Sequence, residues 1–175
     1  MTTTAIDPAS PADFAAMWPI FEAVVTAGDT YALPPQTPRE QARRYWFGDG
    51  IRSFVARSEG RVVGMYKLVA NQPGLGSHVA NASFMVDPAA RGRGVGRAMG
   101  ADCLRRAQDA GFLALQFNFV VSTNEPAVAL WKDLGFAIVG TLPRAFRHPT
   151  RGFVDVYVMY RWLGEGAPAG IGGPA

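Results

Sequence analysis

The ten residues RGRGVGRAMG, Arg91–Gly100, set four glycines and three arginines between an apolar run and the start of a helical pattern. A backbone this bare and this positive suits either a tight turn or an anion held by main-chain N–H groups. Spacing tests the two familiar phosphate motifs. The P-loop closes on Gly-Lys-Ser/Thr, and this stretch has no lysine. The dinucleotide fingerprint G-x-G-x-x-G fails too: the sixth position is Arg97 counted from Gly92 and Met99 counted from Gly94. The physics behind both motifs survives the test. Glycines allow the N–H groups of Gly92–Gly96 to line one concavity, and a helix starting at Val95 adds its positive end. Arg91, Arg93 and Arg97 supply charge for a diphosphate.

Outward from this run, the pattern changes its period. After it, Val95, Met99, Cys103 and Ala107 form a helical stripe to about Ala110, with Gly111 as the stop. FLALQFNFVV reads as a strand, NEPAVALWKDL as a helix closed by Gly135, and FAIVGTL and FVDVYVMYRWL as two final strands. Before it, HVANASFMV is a strand ended by Asp87-Pro88, and IRSFVARSEGRVVGMYKLVAN a hairpin turning at SEGR. Further back, TTTAI is a short strand. SPADFAAMWPIFEAVVTAG is a helix with Ser10 as cap, Pro11 at its first position and Gly28 as stop. TPREQARRYWFG is a second helix, with Thr37 as cap and Glu40 at capping-box spacing. The order β-α-α-β-β-β-α-β-α-β-β predicts an α/β fold with a mixed sheet and helices on its faces.

The 175 residues suit one domain, residues 1–163, followed by a disordered Gly/Ala/Pro tail, 164–175. Apolar content of 49% with 18% charge excludes wholesale disorder. One cysteine rules out an internal disulfide framework and fits a reducing, cytoplasmic setting. No basic-then-apolar leader is visible at the start, and no apolar run approaches membrane length. The net charge is +3, but the arginines gather near the glycine run instead of forming a stripe with interleaved aromatics. Nucleic acid and membrane are therefore not expected partners.

VDPAARGRGVG, with Arg91, Gly94 and Gly96 in the pattern Arg/Gln-x-x-Gly-x-Gly/Ala, resembles the acyl-CoA motif of the GCN5-related N-acetyltransferases, the GNAT superfamily. NEPAVALWKDLGF resembles that superfamily's second motif, with Asn124, Ala127, Leu130, Gly135 and Phe136 in register. The likeness runs to Leu163. It implies a mostly antiparallel central sheet whose fourth and fifth strands splay, and acetyl-CoA as donor with CoA as product and no metal. Arg91, Gly92, Arg93, Gly94, Val95, Gly96 and Arg97 would hold the diphosphate, and Met85 and Val86 the pantetheine through their backbone, with Asn124 and Trp131 also on the cofactor. The amine of a small molecule would attack the thioester directly, polarised by a backbone N–H.

One departure stands out. Where the family usually has a tyrosine that protonates the leaving thiolate, this chain has Trp131, whose indole donates a hydrogen bond but supplies no useful proton. Tyr157 and Tyr160 are possible substitutes, and Glu125 and Asp87 fit helix-end or turn roles better than that of a base. FNFVVSTN is similar to the corresponding stretch of the fungal proline-analogue N-acetyltransferases, which act on small imino acids. That likeness implies catalytic orientation by Asn118 and Asn124, with Asn81 at the acceptor carboxylate. Asn118 is expected to be a buried strand amide in need of partners. Tyr31, in the loop after the first helix, would line the acceptor pocket. Three outcomes stay open: acetylation of a small amine such as an amino or imino acid, acetylation of a protein N-terminus or lysine, and CoA binding without turnover. A homodimer is frequent in the superfamily.

Overall fold

The computed structural model describes residues 4–165 and contains eleven regular elements in the expected order. They are β1 (Ala5–Pro8), α1 (Phe14–Ala27), α2 (Arg39–Phe47), β2 (Arg52–Ser58), β3 (Arg61–Ala70), β4 (Val79–Val86), α3 (Val95–Asp109), β5 (Ala114–Val121), α4 (Glu125–Asp133), β6 (Ala137–His148) and β7 (Gly152–Trp162). Seven strands are hydrogen-bonded in the order β1-β2-β3-β4-β5-β7-β6, with β4 and β5 parallel. The tail expected to be disordered lies, from residue 166 on, outside the described residues.

Contacts group the chain into two compact units. The first holds the residues up to Val69 with Ser83–Cys103, and the second Ala70–Ala82 with Leu104 onward. In the first, β2 and β3 form the expected hairpin, turning through Glu59 and Gly60, both at positive φ. Strand alternation then sorts the helices. Met65 packs with Met17, Phe21, Val24, Ala42 and Trp46 of α1 and α2. Its neighbour Gly64 points the other way, where an added Cβ would stand 2.9 Å from Met99 Cε and 3.0 Å from Val95 Cγ1 of α3. Glycine here permits close helix-on-strand packing. The predicted stripe of α3 is buried, with Val95 3%, Met99 0%, Cys103 1% and Ala107 0% exposed.

The helix ends follow the sequence in part. Ser10 and Asp13 form a capping box around the one-turn helix Pro11–Asp13 that leads into α1, and Gly28 closes α1 in the left-handed region. The expected Thr37 cap does not form. Thr37 is buried and donates its hydroxyl to the Pro34 carbonyl at 2.6 Å, and α2 starts at Arg39 behind Pro38. A turn closed locally by the hydroxyl has displaced the cap.

In the second unit, Val79–Asn81 pair in parallel with Ala114–Gln116, and β5, β7 and β6 pair antiparallel. Phe117 faces Met159 and Val120 faces Tyr157, so β5 carries one residue more than its partner. This bulge leaves Asn118 and Phe119 both exposed, one after the other. β6 runs on to His148, past the predicted end at Leu142, because a second irregularity absorbs Pro143 and Arg144. The Asp155 carboxylate accepts the Arg144 N–H at 2.8 Å there.

Candidate active site

The glycine run forms four turn residues, Arg91–Gly94, between the short helix Pro88–Ala90 and α3. Gly92 and Gly94 adopt φ of 75° and 79°, which L side chains rarely take, and an added Cβ at either would meet nothing within 4 Å. Open space therefore lies in front of the backbone at both positions. The first turn of α3 presents the N–H groups of Val95 and Gly96 ahead of the bond from Ala98 N–H to Gly94 C=O, 3.0 Å. Arg91, Arg93 and Arg97 are exposed around it. Bare N–H groups, a helix start and three guanidinium groups form a donor set suited to a diphosphate.

Asp87, just upstream, accepts the Ala89 N–H at 2.9 Å and so serves the turn. Strand parity selects the backbone groups available along β4. Asn71 N–H bonds Val79 C=O (2.8 Å) and Asp87 N–H bonds Val63 C=O (2.9 Å), which assigns the odd-numbered residues of this stretch to β3. Of the two expected strand contacts, Val86 thus has its backbone on the edge away from β3. Met85 turns its backbone toward β3 and buries its side chain. Phe84 shares the Val86 edge and was not singled out from the sequence, because parity is fixed only by the β3 register.

The Phe84 edge carries a contact from the loop after α1. Tyr31 donates its hydroxyl to Phe84 C=O at 2.6 Å and accepts from Phe84 N–H at 2.9 Å. Next to it, Tyr45 of α2 donates to Ser83 Oγ at 2.9 Å. The β3–β4 register sets Lys67 across from Ser83. Lys67 is 8% exposed, donates to Tyr45 C=O at 2.9 Å, and holds its Nζ 3.2 Å from the centre of the Tyr45 ring. Tyr45 lies in the last turn of α2, so the ammonium closes the negative end of that helix. Burial lowers the Lys67 pKa to about 8. Burial, with Tyr45 nearby, raises the Tyr31 phenol well above its usual value, and burial raises Tyr45 as well. Lys67 and Tyr45 were also missed: a lysine inside an apolar strand and a tyrosine in an amphipathic helix look ordinary until they meet.

In the second unit two of the three predicted asparagines, Asn81 and Asn118, join one amide chain. Asn81 Nδ2 donates to Gln116 C=O (2.9 Å), Gln116 Nε2 to Asn118 Oδ1 (2.8 Å), and Asn118 Nδ2 to Asn71 Oδ1 (2.7 Å). Asn118 is exposed, contrary to the expectation of a buried amide, because it alternates with buried Leu115 and Phe117. Its partners are nevertheless in place, and they fix its orientation. Asn124 sits at the N-cap of α4 without a side-chain cap bond; its carbonyl accepts from Ala127 and Val128. Trp131 is 7% exposed and packs 4.6 Å from Phe117 and 6.0 Å from Phe136, centroid to centroid. Its ring is committed to the core of this unit. His78 is exposed, and His148 accepts turn N–H groups through Nδ1. Among the described residues no cluster of His, Cys, Asp and Glu could hold a metal, and no helix is long and apolar enough to cross a membrane.

The comparisons with known proteins agree with this architecture. Residues 17–136 match the model of the Acetyltransferase (GNAT) family, and the chain belongs to that family. A solved GCN5-related N-acetyltransferase from Kribbella flavida is 49% identical, with a TM-score of 0.87 over 91% of this chain and 98% of that one. N-acetyltransferase aca1 of Schizosaccharomyces pombe is 35% identical over 98 residues, 55% of this chain and 47% of aca1. The match thus spans about half the length of aca1. The L-amino acid N-acetyltransferase AaaT of Escherichia coli is 30% identical over 112 residues, 64% of this chain and 68% of AaaT.

Proposed function

We propose that this chain transfers an acetyl group from acetyl-CoA to the amine nitrogen of a small amino or imino acid. The observation that carries the proposal is the pair of left-handed glycines, Gly92 and Gly94, facing open space at the start of α3 among exposed arginines. These residues fit a diphosphate by donor chemistry and by clearance. Acetyl-CoA supplies an activated acyl carbon; the amine nitrogen bonds to it, the carbon–sulfur bond breaks, and the amine proton is lost to solvent or the departing sulfur. The backbone edge of Phe84 and Val86 suits an extended amide-bearing chain added like a strand. Asn118, oriented by Gln116 and Asn71, offers a fixed amide to a polar acceptor. An amino-acid acceptor accords with the likeness to AaaT, and an imino acid with the resemblance of FNFVVSTN to the fungal proline-analogue N-acetyltransferases. A cytoplasmic homodimer belongs to the same proposal, and sedimentation of the purified chain tests the dimer.

Calorimetric titration with acetyl-CoA should show one site, and amino and imino acids should release free CoA thiol at a rate above hydrolysis. Failure to bind acetyl-CoA would sink the proposal. A second function, cofactor binding without turnover, is favoured by one observation: a core-packed Trp131 stands where the family's acid is expected. Tight binding with no thiol release on any acceptor, small molecule or peptide, would decide for it.

A further inference from the structure

The Tyr31 hydroxyl uses both backbone groups of Phe84, the N–H and the C=O, on the one edge of β4 that β3 leaves open. An extended chain pairing along that edge needs the same donor and the same acceptor. The single N–H is already committed to the phenol at 2.9 Å, and the phenol, 2.6 Å from the C=O, occupies the edge along which a second chain would lie. We propose that Tyr31 is a latch: it closes the loop Asp29–Pro38 onto β4 when the cofactor is absent, and the pantetheine amides of an acyl-CoA displace it. This inference rests on the acyl-CoA function proposed above and adds a coupling between cofactor and loop.

Two features of the same loop suit it for release. Asp29 Oδ1 is buried without a hydrogen-bond partner, so closure leaves a polar atom unsatisfied, an unfavourable state that opening relieves. The far end of the loop, Pro35–Pro38, walls a cavity of about 360 Å³ together with Trp18, Phe21 and Val25 of α1. That end borders an open cleft and has room to move, while Tyr31 and Leu33 pack on the α1–α2 core and hold the near half of the loop until the edge is contested. Tyr31 is then a positioning residue: it holds the loop closed and leaves the edge only when another extended chain supplies equivalent bonds. Cofactor binding loosens the loop, and by reciprocity anything that loosens the loop tightens cofactor binding.

The test uses the full chain and Tyr31→Phe, which keeps the ring and removes the hydroxyl, with a thermal melt to verify folding. Amide hydrogen exchange over residues 28–38 and calorimetric affinity for acetyl-CoA are measured for both. In the parent chain, saturating acetyl-CoA should speed exchange at 28–38. In Tyr31→Phe without ligand, exchange there should already be fast, and acetyl-CoA should bind at least about fivefold tighter, the lower end for two hydrogen bonds no longer displaced. Binding by the variant alone would support the latch in its strongest form. Slower exchange at 28–38 on binding, or equal or weaker affinity in Tyr31→Phe, overturns the latch and leaves the acyl-CoA function standing. Absence of binding by both proteins overturns that function and the latch with it.

Discussion

Replacing Lys67 by methionine should flatten the alkaline stability of the protein. The folded state holds this ammonium with a pKa of about 8, against 10.5 for an ordinary lysine, because burial penalises the charge. Between those values the unfolded chain keeps a proton that the folded chain has lost. Stability depends on pH with the sign of protons bound unfolded minus protons bound folded, so it must rise across this window. From about pH 7.5 to about pH 9.5, the gain from this one group is about 2 kcal/mol. The raised phenols of Tyr31 and Tyr45 act oppositely: unfolded tyrosines ionise near pH 10 while the folded ones stay neutral, so stability falls above that point. Methionine keeps an unbranched stem in the same space but has no proton to exchange. Urea unfolding followed by tryptophan fluorescence at the two pH values gives four free energies. The parent chain should gain about 2 kcal/mol more than Lys67→Met over the interval. Parallel pH dependences in the two proteins would refute the assignment of a buried, charge-penalised lysine.

Three further outcomes test separate parts of the structure. Gly94→Asp places a side chain at φ 79° and a negative charge in the proposed diphosphate cradle, and should weaken acetyl-CoA at least about 100-fold by calorimetry, by obstruction and repulsion together. Its thermal midpoint should fall modestly, by the cost of a non-glycine residue at this φ alone, since the added Cβ meets no neighbour. Gly64→Ala pushes a methyl against Val95 and Met99, and should cost about 1–3 kcal/mol in urea unfolding; a change below about 0.5 kcal/mol would show that α3 shifts freely. Asn118→Ala removes an exposed, fully oriented amide, and should raise the acceptor KM with acetyl-CoA affinity and stability unchanged. Unaltered acceptor kinetics would remove Asn118 from the acceptor site.

The features legible from sequence are those set by near neighbours along the chain. The stripe Val95–Met99–Cys103–Ala107 follows from helical period alone, and the turn glycines from backbone sterics. The glycine motif and its downstream companion also work at fixed local spacing, so they revealed the family before any contact was known. What escaped depends on pairing between distant segments. Thr37 had a nearer carbonyl to bond than the helix could offer. Asn118 stands among apolar residues and is expected inside, but it alternates with buried Leu115 and Phe117 to face outward, and the extra residue in β5 sends Phe119 out beside it. Phe84, Lys67 and Tyr45 gain their meaning from the β3–β4 register and from a loop that reaches β4 across 53 positions of chain. No local window contains both partners.

The added residue in β5 also bears on how such a chain can change over generations. On its upstream side Ala114, Leu115 and Phe117 are buried, and on its downstream side Val120 and Val121 are. The pair Asn118–Phe119 faces outward between them. Phe119 still sets its ring edge-on against buried Phe146, so Asn118 is the position of the pair that can change without touching the interior. Deletion is another matter: loss of one residue would restore strict alternation and slide one flank by a position against β7. Substitution at Asn118 is therefore open to the chain, whereas the count of residues in β5 is held fixed by its pairing with β7.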